Sequence, residues 1–241
     1  FFFFFKQKTA YEFYMGDWIS DVCSSDLLPN TLPAKNGFGE YVSPAVRARY
    51  PGVVFSQFTG AEAIAKKYGL GKDVLDEYGF RSQQRAIAAT RAGKFHAEIV
   101  PVEARLADGS VPGGAHEIDE GIRFDVSLQG IQAVKLIAEG GRISAATASQ
   151  ICDGASGVIV ASERGLKSLG ITPIARIHHM SVLGHDPVIM LEAPIPATAA
   201  ALKKAGMKID DIDLFEVNEA FAPIPLAWLQ ATLYGDRKSV V

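Results

Sequence analysis

Asp213-Leu214-Phe215-Glu216-Val217-Asn218-Glu219-Ala220-Phe221 is the stretch on which the reading of the fold turns. A short apolar run, Leu214 to Val217, stops abruptly at an Asn and a Glu, the pattern of a strand that delivers polar groups to its carboxyl end. Asp210, Asp211 and Asp213 form the turn into it, and upstream Ala199 to Ala205 reads as a helix stopped by Gly206. Asn218 is then placed at the N-cap of the next helix, the commonest structural use of Asn at such a position. In an open α/β sheet, ligands gather where strand ends meet helix N-termini that carry unfilled N–H groups. An Asn amide there also suits holding a water or donating to an oxyanion, and Glu219, Ala220 and Phe221 beside it can wall a pocket.

Outward from this point the same alternation repeats. Val158-Ile159-Val160 has the composition of a buried strand, Ser162 caps a helix that stops at Gly170, and a further strand is predicted from Ile174. Strand, helix and strand in succession predict a layered α/β domain. Residues 28–57 are rich in Pro, Gly and aromatics and read as irregular surface. Thr59 and Glu62 have capping-box spacing before a helix over Ala61 to Tyr68, which Gly69 closes. A longer helix is predicted from Lys72 to about Ala92, with Leu75, Tyr78, Ser82, Arg85 and Ala89 at helical spacing and Gly93 as the stop. Its Arg81, Arg85 and Arg91 read as a solvated face. Glu98 to Leu106 looks extended, and Asp108-Gly109 is a turn able to fold the chain back on itself.

The bulk properties set limits on function. The 241 residues are 48% hydrophobic, enough for one large or two modest domains with a substantial core. With 24 basic and 27 acidic residues the net charge is −3, so no basic field gathers nucleic acid or an anionic membrane. No apolar stretch approaches the roughly 20 residues of a membrane span. The two cysteines, Cys23 and Cys152, are too few for a disulfide framework and fit a reducing, cytoplasmic setting. The ends are unlike the rest. Phe1 to Phe5 is a homopolymer followed by a patchy run to Leu27 without period or signal-peptide grammar, and residues 1–27 and 236–241 read as artefactual additions.

Several residues invite chemistry. Arg123, beside Asp119 and Glu120, is either a surface ion pair or a guanidinium that docks a phosphate or stacks on a purine. The small-residue run Gly140 to Gln150 lets a ligand approach the backbone closely. His178, His179 and His185 are close in sequence, but adjacent residues on an extended strand point to opposite faces and His185 follows Gly184, so no metal site is predicted. Cys152 has no basic neighbour to lower its pKa and reads as a structural thiol.

Taken in order and at their spacing, these segments resemble the thiolase family, enzymes that make or cleave a carbon–carbon bond between acyl-CoA units through an acyl-cysteine. The resemblance runs from about residue 55 to 234. It is carried by Thr59-Gly60-Ala61-Glu62, Arg81-Ser82-Gln83-Gln84-Arg85-Ala86, the Glu98 to Val102 segment, Ala145 to Gly154, Gly184-His185-Asp186-Pro187 and Asn218-Glu219-Ala220-Phe221. It is most similar to the branch acting on longer acyl-CoA and sterol side chains. The resemblance implies a thiolase-like layered αβαβα fold, incomplete in this chain, with an α+β CoA-binding loop domain. Its parts are the loop domain over 28–151, the last βα unit of the N-terminal half over 152–172 and the start of the C-terminal half over 173–235.

By resemblance, Asn218 is the asparagine that holds the oxyanion-hole water, and Ala220 and Phe221 form the wall beside the pantetheine arm. Ala145, Ala148 and Ser149 fall in the CoA-contacting segment, Arg123 near the adenine end, and Met190 along the acyl pocket. The family usually has Asn where Thr147 stands and His-Met where Ser56-Gln57 stands. Its nucleophilic cysteine belongs upstream of Gln57. Cys23-Ser24-Ser25 mimics the Cys-Ser-Gly signature but is too close to Thr59, and the Gly-His-Pro histidine and second cysteine belong downstream of residue 235. The resemblance thus implies an internal piece of an acyl-CoA thiolase, inactive by itself. The intact parent uses coenzyme A as substrate without a tightly bound cofactor or metal, and is a homodimer or homotetramer. The alternative is a non-catalytic acyl-CoA or lipid-binding protein on the same fold.

Overall fold

The computed structural model describes residues 42–150 and 157–233 apart from 104, 107 and 112, together with residues 13, 14, 36, 37 and 39. Most of the 1–27 leader, the 236–241 tail, Cys23 and the Cys152-Asp153 pair lie outside the described residues. The chain divides into two compact units, one of Gly71–Gln150 and the other of Phe1–Leu70 with Ile151–Val241.

In the Gly71–Gln150 unit the organising element is helix α3, Lys72–Arg91. It follows the predicted span closely, and Gly93 (φ 65°) stops it in the left-handed conformation that a side chain resists. The Gly93 amide bonds to the Thr90 carbonyl and the Lys94 amide to that of Ala89, the paired bonds of a Schellman cap. Leu75 and Ile87 are buried on α3, and Arg81, Arg85 and Arg91 lie on its exposed side as expected. Arg91 also stands over the Phe124 ring, 5.7 Å from its centre. Helix α3 packs on the short helix α4, Leu128–Gln132, and on a 3-10 turn over Ala145–Thr147. Lys72 couples α3 to α4, pairing with the buried Asp76 one turn on and reaching the Gln132 carbonyl at 3.1 Å. The predicted reversal at Asp108-Gly109 is present: strand β2, Val102–Glu103, pairs antiparallel with β3, Ala115–His116, and Gly109 takes φ 83°.

The other unit is built on three helices. Helix α2, Gln57–Lys67, packs on α7, Pro223–Thr232, which also packs on α6, Pro194–Ala205. The buried face of α2, Gly60, Ala61, Ile64 and Ala65, repeats with the helical period, and α7, on which α2 packs, buries Ile224, Ala227 and Trp228. Full burial of a side chain the size of Ile64 contributes about 1.5–3 kcal/mol. Helix α1, Pro44–Arg49, precedes them, with the Ser43 hydroxyl accepting from the Val46 amide. Helix α5, Glu163–Leu169, is capped at Ser162 as predicted and stopped by Gly170 at φ 63°.

Four expectations are corrected here. Helix α2 begins at Gln57, with Ser56 at its N-cap, so Thr59 lies inside the helix and makes no capping box with Glu62. Val158 and Ile159 do form a strand, β4, paired antiparallel with β1, Phe13–Tyr14, yet they are 69% and 71% exposed. A two-stranded ribbon buries nothing unless a second layer lies on it, and none does among the described residues. Ile174 lies in a bend and the Leu214 to Val217 run carries no regular structure, so neither is a strand, because a strand exists only through the ladder it shares with a neighbour. Finally, Asn218 is not an N-cap. Helix α7 begins at Pro223, four residues beyond Glu219.

The prolines explain this last displacement. Were the helix to start at Glu219, Pro223 and Pro225 would sit in its interior, each removing an i→i−4 bond and clashing with a carbonyl at a cost of about 3 kcal/mol. Within the first turn, amides have no intrahelical partner and a proline loses nothing. The same logic starts α6 at Pro194, earlier than the predicted Ala199, because Pro194 and Pro196 fit only a first turn. Ala193-Pro194-Ile195-Pro196 and Ala222-Pro223-Ile224-Pro225 are thus two copies of one helix-starting device, on helices that pack together. No helix among the described residues is long and apolar enough to cross a membrane.

Candidate functional site

The residues singled out from sequence divide between the two units. Arg123, Ala145, Ala148 and Ser149 belong to one, and Met190, Asn218, Ala220 and Phe221 to the other.

In the first unit Arg123 is posted by its backbone. Its amide donates to Gln83 Oε1 at 2.9 Å, and the Gln83 and Gln150 side-chain amides both reach the Gly121 carbonyl, at 3.5 and 2.5 Å. Gly121 leaves room for this clamp, since a Cβ there would stand 3.2 Å from Gln150 Oε1. The Arg123 side chain is exposed and makes no salt bridge with Asp119 or Glu120, so the ion-pair reading of it is not the one adopted. Gln150 directly follows Ser149, and the clamp therefore brings Arg123 to the small-residue run. That run is held from beneath. Ile143, Ser144 and Thr147 are buried, and Thr147 Oγ1 both accepts from the Ser144 amide (3.0 Å) and donates to the Ser144 carbonyl (3.1 Å). Gly79 of α3 lets the turn sit close, its absent Cβ being 3.0 Å from the Ala146 carbonyl. Ala145 and Ser149 are left exposed, with Ala148 half-buried. Thr147, one of the departures from the family pattern, spends its hydroxyl on its own turn.

In the second unit the N-terminal half of α2 gathers two of the expected residues. Phe221, 2% exposed, packs edge-on against Phe58 with ring centres 5.3 Å apart. Two residues along, Gly60 receives the 189–190 backbone: a Cβ on Gly60 would stand 2.6 Å from the Ile189 carbonyl oxygen and 3.3 Å from Met190 Cγ. Met190 has φ 40°, the one non-glycine residue on the positive side among those described. Such a backbone costs on the order of 1–3 kcal/mol and persists where its surroundings over-determine it. Ala220 is buried beside Phe221, whereas Asn218, two residues earlier, is exposed on the irregular segment before α7. Gly60→Ala is accordingly expected to destabilise the chain by about 1–3 kcal/mol, because the oxygen it meets is backbone and cannot swing away. Denaturant unfolding of that variant measures the loss.

A group that sequence reasoning missed lies behind Met190. The Glu192 carboxylate is 5% exposed, and its Oε1 accepts from Lys67 Nζ at 2.6 Å and from the Tyr68 hydroxyl at 2.7 Å. His185 Nε2 lies 3.1 Å from Oε2. Burial is the largest influence on this carboxyl and pushes it up. The hydrogen bonds from Lys67, Tyr68 and His185, with the Lys67 charge, outweigh burial, and Glu192 is held below its ordinary value of 4.5. Desolvation, then the Glu192 hydrogen bond and charge, push Tyr68 up to about 12. Because the Glu192 pKa is depressed on folding, its contribution is present above pH 4.5 and is lost as pH falls through the lower folded value. Because that of Tyr68 is raised, its contribution is present below pH 10.0 and is lost as pH rises toward about 12. Thermal unfolding across pH is expected to show both limbs, with Glu192→Gln flattening the acid one and Tyr68→Phe the alkaline one. No group of three or more His, Cys, Asp and Glu side chains among the described residues is arranged to hold a metal ion. His185 is drawn to Glu192 instead.

Residues 54–164 match the family model of the thiolase N-terminal domain, and residues 171–239 match that of the thiolase C-terminal domain. The chain belongs to the thiolase family. Among its relatives is the steroid 3-ketoacyl-CoA thiolase FadA6 of Mycobacterium tuberculosis, 49% identical over 182 residues that cover 76% of this chain and 43% of that protein. A 3-ketoacyl-CoA thiolase of Yersinia pestis is 45% identical over 172 residues, covering 70% and 44%. Among solved structures, human mitochondrial 3-ketoacyl-CoA thiolase in complex with CoA superposes with a TM-score of 0.67 at 40% identity, over 72% of this chain and 42% of that one. This thiolase chain therefore spans less than half the length of the relatives it matches. The expected α/β thiolase-like fold is found, with its helices in place and its strands reduced to two-residue pairs among the described residues.

Proposed function

We propose that the parent of this thiolase chain is an acyl-CoA thiolase that cleaves a 3-ketoacyl-CoA with CoA, or runs the reverse Claisen condensation, through an acyl-cysteine. The observation that carries this is the match of both thiolase domain models, in order, to relatives described as 3-ketoacyl-CoA thiolases. In the cleavage direction a cysteine thiolate attacks the 3-keto carbon, the C2–C3 bond breaks and acetyl-CoA leaves after protonation. The thiol of a second CoA then takes the acyl group from sulfur. Coenzyme A is thus a substrate and not a resident cofactor. The FadA6 relative makes steroid side chains a candidate acyl class.

Asn218 is the catalytic residue we assign, holding the water that donates to the oxyanion. Its exposure just after the Leu214 to Val217 run supports this, since an exposed side chain is open to a water. Ala220, Phe221 and Met190 are assigned to the pantetheine and acyl walls, and Arg123, Ala145, Ala148 and Ser149 to the CoA-contacting loop domain over 28–151. The exposed Ala145 and Ser149, and an exposed Arg123 whose backbone is linked through Gln83, Gly121 and Gln150 to the same run, support the second group. We place the nucleophilic cysteine upstream of Gln57 and its activating histidine downstream of residue 235. The 241-residue chain is accordingly inactive, and its parent is a cytoplasmic homodimer or homotetramer.

The surrounding reading frame tests this assignment. A Cys-Ser-Gly segment upstream, with Gly-His-Pro and Cys-Gly-Gly segments downstream, is the expected result. Their absence together with CoA binding would favour a non-catalytic acyl-CoA or lipid-binding protein. Thiolytic turnover by the 241-residue chain alone would overturn the placement of nucleophile and base.

A further inference from the structure

Met190 holds an unfavourable backbone, and the bonds around it show what imposes that conformation. The Leu191 amide bonds across Met190 to the Ile189 carbonyl at 2.5 Å, an i→i+2 turn whose central residue is on the rare positive-φ side. The Met190 amide reaches back to the Asp186 carbonyl at 2.8 Å, and the Asp186 carboxylate accepts from the Val188 and Ile189 amides at 2.7 and 3.2 Å. These bonds coil the 186–191 segment, but all are local, and the two to the Asp186 carboxylate are exposed to competition from water. The contacts that tie the segment to the rest of its unit lie at its ends and its middle. Gly60 receives Ile189 in the middle, and Glu192 acts at both ends.

One oxygen of the Glu192 carboxylate faces His185, the residue just before the coil, and the other is held by Lys67 and Tyr68 at the C-terminus of α2. The coil is thus closed into a loop by His185 and Glu192, and the closure is fastened to a helix end. Glu192 is nearly fully buried, so its charge has no solvent alternative and the three donors fix its position. Lys67 and Tyr68 are themselves held, because the Schellman bonds of Gly69 and Leu70 terminate α2 right behind them.

We propose that Glu192 is a positioning residue for the acyl-side wall: its carboxylate clasps the two ends of the 185–192 loop to helix α2 and thereby holds Met190 in its positive-φ conformation. What Met190 touches rests on the acyl-CoA reading above. Without the clasp Met190 relaxes toward negative φ, and its thioether leaves the place beside Gly60. A wall residue that moves by a side chain's width alters the fit of long acyl chains while leaving the distant CoA moiety alone.

The test uses the 241-residue chain with 13C-methyl methionine, the Met190 signal being assigned with Met190→Leu. Glu192→Ala is expected to shift the Met190 methyl resonance and leave that of Met207 in place. Glu192→Gln, which keeps an acceptor for Lys67 or Tyr68, is expected to restore most of the wild-type position. In parallel titrations with CoA, a short-chain acyl-CoA and a long-chain acyl-CoA, Glu192→Ala is expected to change the long-to-short affinity ratio by roughly tenfold, with CoA itself unaffected. A Met190 methyl that stays put in both variants overturns the positioning role, as does an equal loss for all three ligands. If the wild-type chain and the full-length parent both bind none of the three, the acyl-CoA reading fails and the specificity role falls with it, a result seen without any variant. Should Glu192→Ala fail to unfold cooperatively, Lys67→Met and Tyr68→Phe each remove one donor and carry the same comparison.

Discussion

Trp228→Ala is expected to destabilise its unit by about 3–5 kcal/mol, the range for deleting a large aromatic from a core that cannot collapse. Trp228 is 3% exposed on α7, the helix against which both α2 and α6 pack, so the cavity opens in the core of that unit. Its ring also faces Phe215, with centres 5.1 Å apart, which anchors the irregular 213–217 segment in the absence of a strand ladder. The indole N–H donates to Thr198 Oγ1 at 2.9 Å, and the Thr198 hydroxyl in turn donates to the Pro194 carbonyl at 2.8 Å. That relay joins α7 to the first turn of α6. For a chain of this size the midpoint of thermal unfolding should fall on the order of 10 °C. Trp228→Phe keeps the ring contact and leaves Thr198 bonded to Pro194, and is expected to lose distinctly less. A loss under about 1 kcal/mol for the alanine variant would contradict the three-helix core.

Asn218→Ala in the full-length parent is expected to lower kcat by about 10²–10³ with little change in KM, the signature of a donor that acts on charge developing in the transition state. The structure makes this variant a clean probe. Asn218 is exposed and caps no helix, so its removal should alter stability by less than about 0.5 kcal/mol. Ala220 and Phe221, in contrast, are buried against the α2 and α7 core, and substitutions there will mix stability with function. An Asn218→Ala enzyme with undiminished kcat would remove the oxyanion assignment. A variant that loses kcat only because it unfolds would show the same loss of thermal stability.

Helix ends at the C-terminal side were legible in the sequence. Gly69, Gly93, Gly170 and Gly206 each take positive φ where a stop was predicted, because the left-handed cap is a local need that one residue type meets at no steric cost. The Ser162 cap and the Asp108-Gly109 reversal are local in the same sense. Helix starts are less legible in the sequence. The spacing of Thr59 and Glu62 imitated a cap inside α2, and the polar Asn218 drew attention from Pro223 and Pro225, which set the start of α7. Strands at Ile174 and Leu214 to Val217 were inferred from composition, yet a ladder is a pairwise property that composition does not contain.

At the candidate site, the small-residue run and Arg123 were visible, but the Gln83 and Gln150 amides that join them through Gly121 were not, because glutamine carries no chemical signature of its own. Glu192 was invisible for a different reason. Lys67 and Tyr68 are separated from it by 125 and 124 positions, and a single acid in an apolar run gives no sign of its partners. The one available hint was its place in Met190-Leu191-Glu192-Ala193, where a charge among apolar residues must find a partner or stay wet.

On the proposed function, this chain comes from an enzyme that cuts carbon–carbon bonds, with Asn218 supplied from here and the nucleophile and base supplied from elsewhere in the parent. CoA-dependent thiolysis of a 3-ketoacyl-CoA by the protein encoded in the full reading frame tests it most directly. Mass spectrometry of the products should show acetyl-CoA and an acyl-CoA two carbons shorter, and replacing the cysteine of the upstream Cys-Ser-Gly segment by alanine should abolish both. A full-length protein that binds the 3-ketoacyl-CoA and CoA yet releases neither product would contradict the claim.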